Sequence, residues 1–109
     1  MQMTGFLQDR QLTISLQGEI DHHGAKHVLR TIASKIDQFM PTKCVLDFRS
    51  VTFMDSSGIA VVIHTYRHMN ELQGTLRVKR IPPQPWKVFA AAGMDRIIEM
   101  ERKEEAYEV

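Results

Sequence analysis

The chain has 109 residues, with 14 Lys and Arg against 13 Asp and Glu for a net charge of +1, and it is 43% hydrophobic and 25% charged. That is enough for one compact domain over 1–109 with a real core, and the lack of any basic block or Arg/aromatic interleaving excludes nucleic acid as a partner. The longest apolar run, Ile59 to Ile63, is far short of the ~20 residues that cross a bilayer, and the N-terminus carries no signal-peptide pattern, so the sequence reads as cytoplasmic with no membrane partner.

In chain order, Met3 to Leu7 and Leu12 to Leu16 are two strand-like runs separated by the polar connection Gln8-Asp9-Arg10-Gln11, which is of hairpin length. Leu12, Ile14 and Leu16 alternate with Thr13 and Ser15, so one face of the second strand is buried. Gly18-Glu19-Ile20-Asp21 ends that strand, and Asp21 is placed to cap the next helix. Ala25, Val28, Leu29, Ile32, Ala33, Ile36, Phe39 and Met40 then fall on one helical stripe, ended by Pro41, and this helix is expected to pack on a sheet.

Lys43 to Phe48 reads as the central strand, with Arg49 to Met54 leading into a polar knot, Asp55-Ser56-Ser57-Gly58. Asp55 and Ser56 are both suitable N-caps for a helix from about Ser57 to Leu72 that ends at Gly74. Thr75 to Arg80 is a further strand. Strands joined through a helix of this length are parallel with right-handed crossovers, which puts Asp55 and Ser56 at the carboxyl end of a strand, where open α/β sheets carry function.

Ile81-Pro82-Pro83-Gln84-Pro85 is a stiff connector, with Pro85 at the first position of a short helix that runs through Ala92 and closes at Gly93. Trp86, Phe89 and Ala90 form its apolar side, with Trp86 covering the sheet edge. Met94 to Met100 is expected to be the last strand, and the charged run Glu101 to Glu108 a solvated terminal helix. The fold class is then α/β: a mixed sheet in the order ββαβαβαβ, with an N-terminal hairpin, parallel βαβ units and helices mostly on one face.

The first turn of the helix after the knot exposes unpaired backbone N–H groups, so a hydroxyl there sits beside an anion site, next to an Asp55 charge that would repel a phosphate. The helical wheel leaves Ser57 the more exposed of the two serines and does not choose between them. With Ile59, Val62, Ile63, Tyr66 and Met69 as the buried stripe, Ala60 and Val61 turn partly outward beside Ser57 and near His64, a protein-docking surface.

Several chemistries fit poorly. The knot lacks the first Gly of a Gly-x-Ser-x-Gly nucleophile elbow, which argues against a serine hydrolase. No Gly-rich loop ends in Lys-Ser or Lys-Thr. His23/His27 and His64/His68 are i,i+4 pairs without the Glu of His-Glu-x-x-His and read as solvated surface residues, so no metal is expected. The lone Cys44 allows no internal disulfide and reads as core filler. The seven methionines follow core periodicity and call for no cofactor.

At Gly18-Glu19-Ile20-Asp21-His22-His23 and Phe53-Met54-Asp55-Ser56-Ser57-Gly58-Ile59, the sequence resembles the anti-sigma-factor antagonists of the STAS domain family. The Gly-Glu-x-Asp-His-His run is most similar to the sporulation branch that controls sigma-F, and general-stress antagonists of the same family are the alternative. The resemblance spans nearly the whole chain and implies a STAS fold and a binding switch without catalysis of its own. It implies that Ser56, directly after the Asp, accepts a phosphate, and that the unphosphorylated protein binds an anti-sigma factor that is also a serine kinase carrying ADP or ATP. A PP2C-type phosphatase would reverse the modification. Asp21, facing a basic residue of the kinase, would share the docking surface with His22, His23, Asp55, Ser57, Gly58, Ala60, Val61 and His64.

Overall fold

The computed structural model describes residues 1–104. Strands β1 (Gln2–Gln8) and β2 (Gln11–Ile20) precede α1 (Ala25–Phe39), β3 (Lys43–Met54), α2 (Ser57–Glu71), β4 (Thr75–Ile81), α3 (Pro83–Ala91), a 3-10 turn over Met94–Arg96 and β5 (Glu99–Arg102). The sheet order is β1-β2-β3-β4-β5. The first pair is antiparallel and the rest are parallel.

The hairpin turn follows from its length. Asp9 and Arg10 are its only two residues, and both take positive φ, 52° and 64°, as a type I′ connection needs to match the twist of the strands. Each later crossover steps one strand further in the same direction, and right-handed crossovers of that kind put every helix on one side of the sheet. That side is the apolar one. Leu12, Ile14 and Leu16 of β2 share it with Cys44, Leu46 and Phe48 of β3 and with Leu76 and Val78 of β4, all buried. Val28, Ile32 and Ile36 of α1 and Val61, Val62 and Met69 of α2 close over it. Phe89 of α3 meets Phe48 edge to face with ring centroids 5.5 Å apart. Burial pushes the Cys44 thiol up to about 12, so it is inert filler here.

Among the described residues the opposite face of the sheet has no helix on it, and it carries Thr13, Ser15, Arg77 and Lys79. Asp47 is buried on this face, where Arg80 pairs with both its carboxylate oxygens and the Arg49 N–H donates to it at 3.0 Å. Paired on two sides, the carboxylate avoids the desolvation cost of an isolated buried charge.

Several local expectations need correction. β3 does not stop at Phe48 but continues to Met54, because Val51 and Met54 return to the core. β2 likewise runs on to Ile20 through register shifts around Gln17 and Gly18, where Gly18 has φ 103°. The left-handed residue ending α2 is Gln73 and not Gly74. Gly74 is there for space, since a Cβ would lie 2.7 Å from the Thr42 carbonyl oxygen. α3 begins at Pro83, with Pro82 preceding it, so Pro85 is its third residue, while Gly93 does close it at φ 72°.

Met94 to Arg96 is a 3-10 turn, and the last strand is only Glu99–Arg102. The Ile97 and Ile98 N–H groups donate back to the Met94 carbonyl at 3.1 and 3.0 Å, so this part of the stretch closes on itself as a turn and does not pair as a strand. Glu101 and Arg102 lie in β5 and not in a terminal helix, Lys103 and Glu104 are in no helix either, and positions 105–108 of that expected helix lie outside the described residues. Trp86 is half-buried beside the edge strand as expected, with the Arg102 guanidinium 5.3 Å from its ring centre.

Gly74→Ala should cost about 1–3 kcal/mol, because backbone cannot give way as a side-chain tip can. Urea unfolding should show a lower midpoint with an unchanged slope, and an unchanged midpoint would contradict the close approach.

Candidate functional site

The site forms where β2 and β3 both end. The Asp55 N–H donates to the Ile20 carbonyl at 3.1 Å, which closes the β2 side of β3. On the other side β4 pairs with β3 only as far as Asp47, and the end of β3 needs another partner there. The Gln84 side chain supplies it: the Met54 N–H donates to Gln84 Oε1 at 2.8 Å, and Gln84 Nε2 donates to the Met54 carbonyl at 2.8 Å. A primary amide presents its oxygen and one of its two N–H groups side by side, as a strand residue presents its own C=O and N–H, so Gln84 stands in for a strand. It belonged to the stretch read as a stiff connector, and nothing in its spacing signals this role.

Asp55 holds the next step of the chain. Its Oδ1 accepts the Ser57 N–H at 2.8 Å and its Oδ2 accepts the His22 N–H at 3.0 Å. These bonds, with that from the Ser57 N–H the strongest influence, hold the Asp55 carboxyl below its ordinary range against a smaller opposing effect of desolvation. The carboxylate therefore ties the start of α2 to the loop between β2 and α1.

The anion site expected at this helix start is already occupied. The Ser57 N–H is taken by the Asp55 carboxylate, the Gly58 N–H by the Asp55 carbonyl at 3.1 Å, and the Ile59 N–H by the Ser56 carbonyl at 3.1 Å. Ser56 stands at the cap position with helical φ and ψ of −62° and −16°, and its hydroxyl makes no capping bond. Ser56 is exposed and Ser57 half-buried, the reverse of the helical-wheel expectation. The wheel placed the buried stripe one flank too far round: the buried residues of α2 are Gly58, Val61, Val62, Thr65 and Met69, with Ile59, Ile63 and Tyr66 only partly covered.

That rotation changes the docking set. Val61 is 1% exposed and belongs to the core, so it is removed from the surface. Gly58 is also buried, packed so closely on the Met54 side chain that a Cβ would overlap its sulfur. Ser56, Ala60 and His64 remain as one exposed stripe at i, i+4, i+8. His22 and His23 are exposed beside it, with rings 5.5 Å apart. Asp21 is half-buried, and its Oδ1 accepts the Gly24 N–H at 2.8 Å. It shapes the turn before α1 without capping the helix, whose cap position is Gly24.

Phe53, given no role by the sequence reading, is 42% exposed just before the knot. His23 lies in the turn ahead of α1, so it does not pair with His27 on one helix. His68 is not a free surface residue either, because it bonds Asp37 of α1 at 2.8 Å. Among the described residues no three His, Cys, Asp or Glu side chains gather as a metal site, and no helix is long and apolar enough to cross a membrane.

The chain belongs to the STAS domain family, whose model matches residues 6–107, and its mixed five-stranded sheet with three helices is the STAS fold. An anti-sigma F factor antagonist from Paenibacillus polymyxa is 29% identical over 87 residues, covering 80% of this chain and 74% of that protein. The anti-sigma factor antagonist SpoIIAA in its unphosphorylated form matches with a TM-score of 0.78 at 27% identity, covering 91% of this chain and 87% of that one. The Bacillus cell fate determinant SpoIIAA in its phosphorylated form matches with a TM-score of 0.70 at 26% identity, covering 91% and 90%.

Gln84→Ala should cost about 1–3 kcal/mol by leaving two backbone groups of Met54 unpaired, and hydrogen exchange at Met54 to Ser57 should quicken more than in the core of β3. Uniform exchange across β3 would contradict the local role of Gln84.

The depressed Asp55 carboxyl adds stability that is present above its unfolded value and lost as pH falls through the lower folded value. In an acid titration the His22 and Ser57 amide resonances should move together as Asp55 protonates, and Asp55→Asn should abolish that shared step.

Proposed function

We propose that this chain is an anti-sigma factor antagonist that acts as a phosphorylation-controlled binding switch. Unphosphorylated, it binds an anti-sigma factor that is itself a serine kinase with bound nucleotide, and so frees the sigma factor, sigma-F of the sporulation programme. The kinase transfers phosphate from its ATP to Ser56, the complex falls apart, and a PP2C-type phosphatase restores the hydroxyl. The protein works in the cytoplasm and has no catalytic step of its own.

The observation that carries this reading is the exposed, uncapped Ser56 hydroxyl beside Asp55 at the head of the stripe Ser56, Ala60, His64. The Asp21, His22 and His23 loop adjoins it, tied to the same carboxylate. Relatives named as anti-sigma factor antagonists, including one solved in both phosphorylation states, support it.

Phosphorylation adds a charge of about −1.5 to −2. Because Asp55 holds the Ser57 N–H, the phosphate gains no ready donor there. It stays beside a like charge, or displaces Asp55 and loosens the His22 loop. Free in water the charge is screened. Against a docked partner it must be desolvated, and only ~2.8 kcal/mol is needed for a hundredfold loss of affinity.

With the kinase and ATP, the wild-type protein should gain one phosphate and dissociate. Ser56→Ala should bind and stay bound, with no phosphate in its intact mass, while Ser57→Ala is still modified. Loss of modification in Ser57→Ala but not in Ser56→Ala would overturn the assignment. Modification of both single variants would show a second acceptor and overturn it as well.

A further inference from the structure

The two edges of the sheet differ. β5 spans only Glu99–Arg102 and carries Glu99, Glu101 and Arg102, the short charged edge that blocks strand addition. β1 is longer, Gln2–Gln8, and its sequence Gln-Met-Thr-Gly-Phe-Leu-Gln holds no charge and no proline. Among the described residues only β2 pairs with it, and all its residues except Met3 are exposed. Phe6 is 59% exposed, and Leu7 and Phe39 are exposed beside it, around a shallow depression also lined by Gly5, Leu12 and Lys35.

The hairpin decides which backbone groups are free. A two-residue turn makes its flanking residues, Gln8 and Gln11, a hydrogen-bonded pair. Such pairs alternate along an antiparallel ladder, so Gln2, Thr4, Phe6 and Gln8 bond to β2. The N–H and C=O groups of Met3, Gly5 and Leu7 point away from the sheet. These three residues are symmetric about Gly5, the midpoint of the strand.

We infer that β1 pairs antiparallel with β1 of a second copy of this chain, about a twofold axis through Gly5. Gly5 then faces Gly5, and Met3 faces Leu7 on either side of it. All three are hydrogen-bonded pairs, so every outward backbone group of both strands is satisfied in one register. Between them Thr4 faces Phe6 of the other copy and covers part of its ring. A second copy fits this edge because the free groups are self-complementary under twofold symmetry. The strand itself brings no like charges together. Of the residues lining the depression, Lys35 is the cation, on a side chain long enough to turn to water.

A single strand pair falls at or below the ~1,200 Å² low end of specific interfaces, so the dimer is weak and reversible. β1 lies two strands from β3, whose end carries Ser56, so pairing leaves the Ser56 stripe open on both copies.

Sedimentation equilibrium from micromolar to millimolar concentration, with amide spectra over the same range, tests this. The wild-type mass should rise toward the dimer, with concentration-dependent shifts largest at the amides of Met3, Gly5 and Leu7. Gly5→Pro removes an outward N–H without breaking a β2 bond, and Thr4→Lys places a charge against Phe6 and its twofold mate. Each, folded by circular dichroism and melting, should weaken the dimer at least about tenfold.

A wild-type protein that stays monomeric throughout overturns the inference and leaves the edge to a strand of a different protein. Wild-type-like association in either folded variant, or assembly beyond the dimer, overturns it as well.

Discussion

The Asp55 carboxylate is the tie on which the working end of this protein depends. One oxygen fixes the first amide of α2 and the other fixes the amide of His22, so two segments 33 residues apart in sequence share a single anchor. Each charge-assisted bond is stronger than a neutral one, and the depressed Asp55 carboxyl is their signature. A residue whose spacing suggested only a helix cap instead joins two loops. A phosphate on Ser56, as proposed above, would therefore land next to the group that holds both.

That anchor would be of little use on a loose strand end. β3 is the central strand, but β4 leaves it after Asp47, and the last residues would otherwise have one bare side. Gln84, at the start of α3, fills the gap with a side-chain amide while Ile20 secures the other side. Two prolines just before Gln84 restrict the backbone that presents it. The stiff connector thus belongs to the machinery that positions Asp55 and Ser56.

The rest of the chain keeps the two helices flanking this point in register. His68 and Asp37 join α2 to α1, Thr65 turns its buried hydroxyl back to the Val61 carbonyl, and Gly58 lets the Met54 side chain lie against the helix start. Asp47 and Arg80 do similar work on the bare face of the sheet, where Arg80 takes φ 54° at an irregularity between β4 and β5. Rigidity below and exposure above leave Ser56, Ala60 and His64 on a surface whose framework is held from beneath.

The sequence by itself determined the element order, the hairpin, the parallel units and the place of the Asp-Ser-Ser-Gly knot at a strand end. Those follow from local periodicity: the alternation of Leu12, Ile14 and Leu16, the helical spacing of Val28, Ile32 and Ile36, and the breaks at Pro41 and Gly93. The resemblance pointed to Ser56 where the wheel could not. Only the tertiary structure decided what depends on neighbours distant in sequence. α2 lies against α1 as well as the sheet, which turned Val61 into the core and left Ala60 outside. β3 continued past Phe48 because Val51 and Met54 found the core again, and the Met94 stretch turned back on the Met94 carbonyl, so it pairs with β4 only from Glu99. The partners of Asp55 and Gln84 lie about thirty residues away, and no period in a sequence encodes a contact between two loop ends that meet only once the sheet has formed.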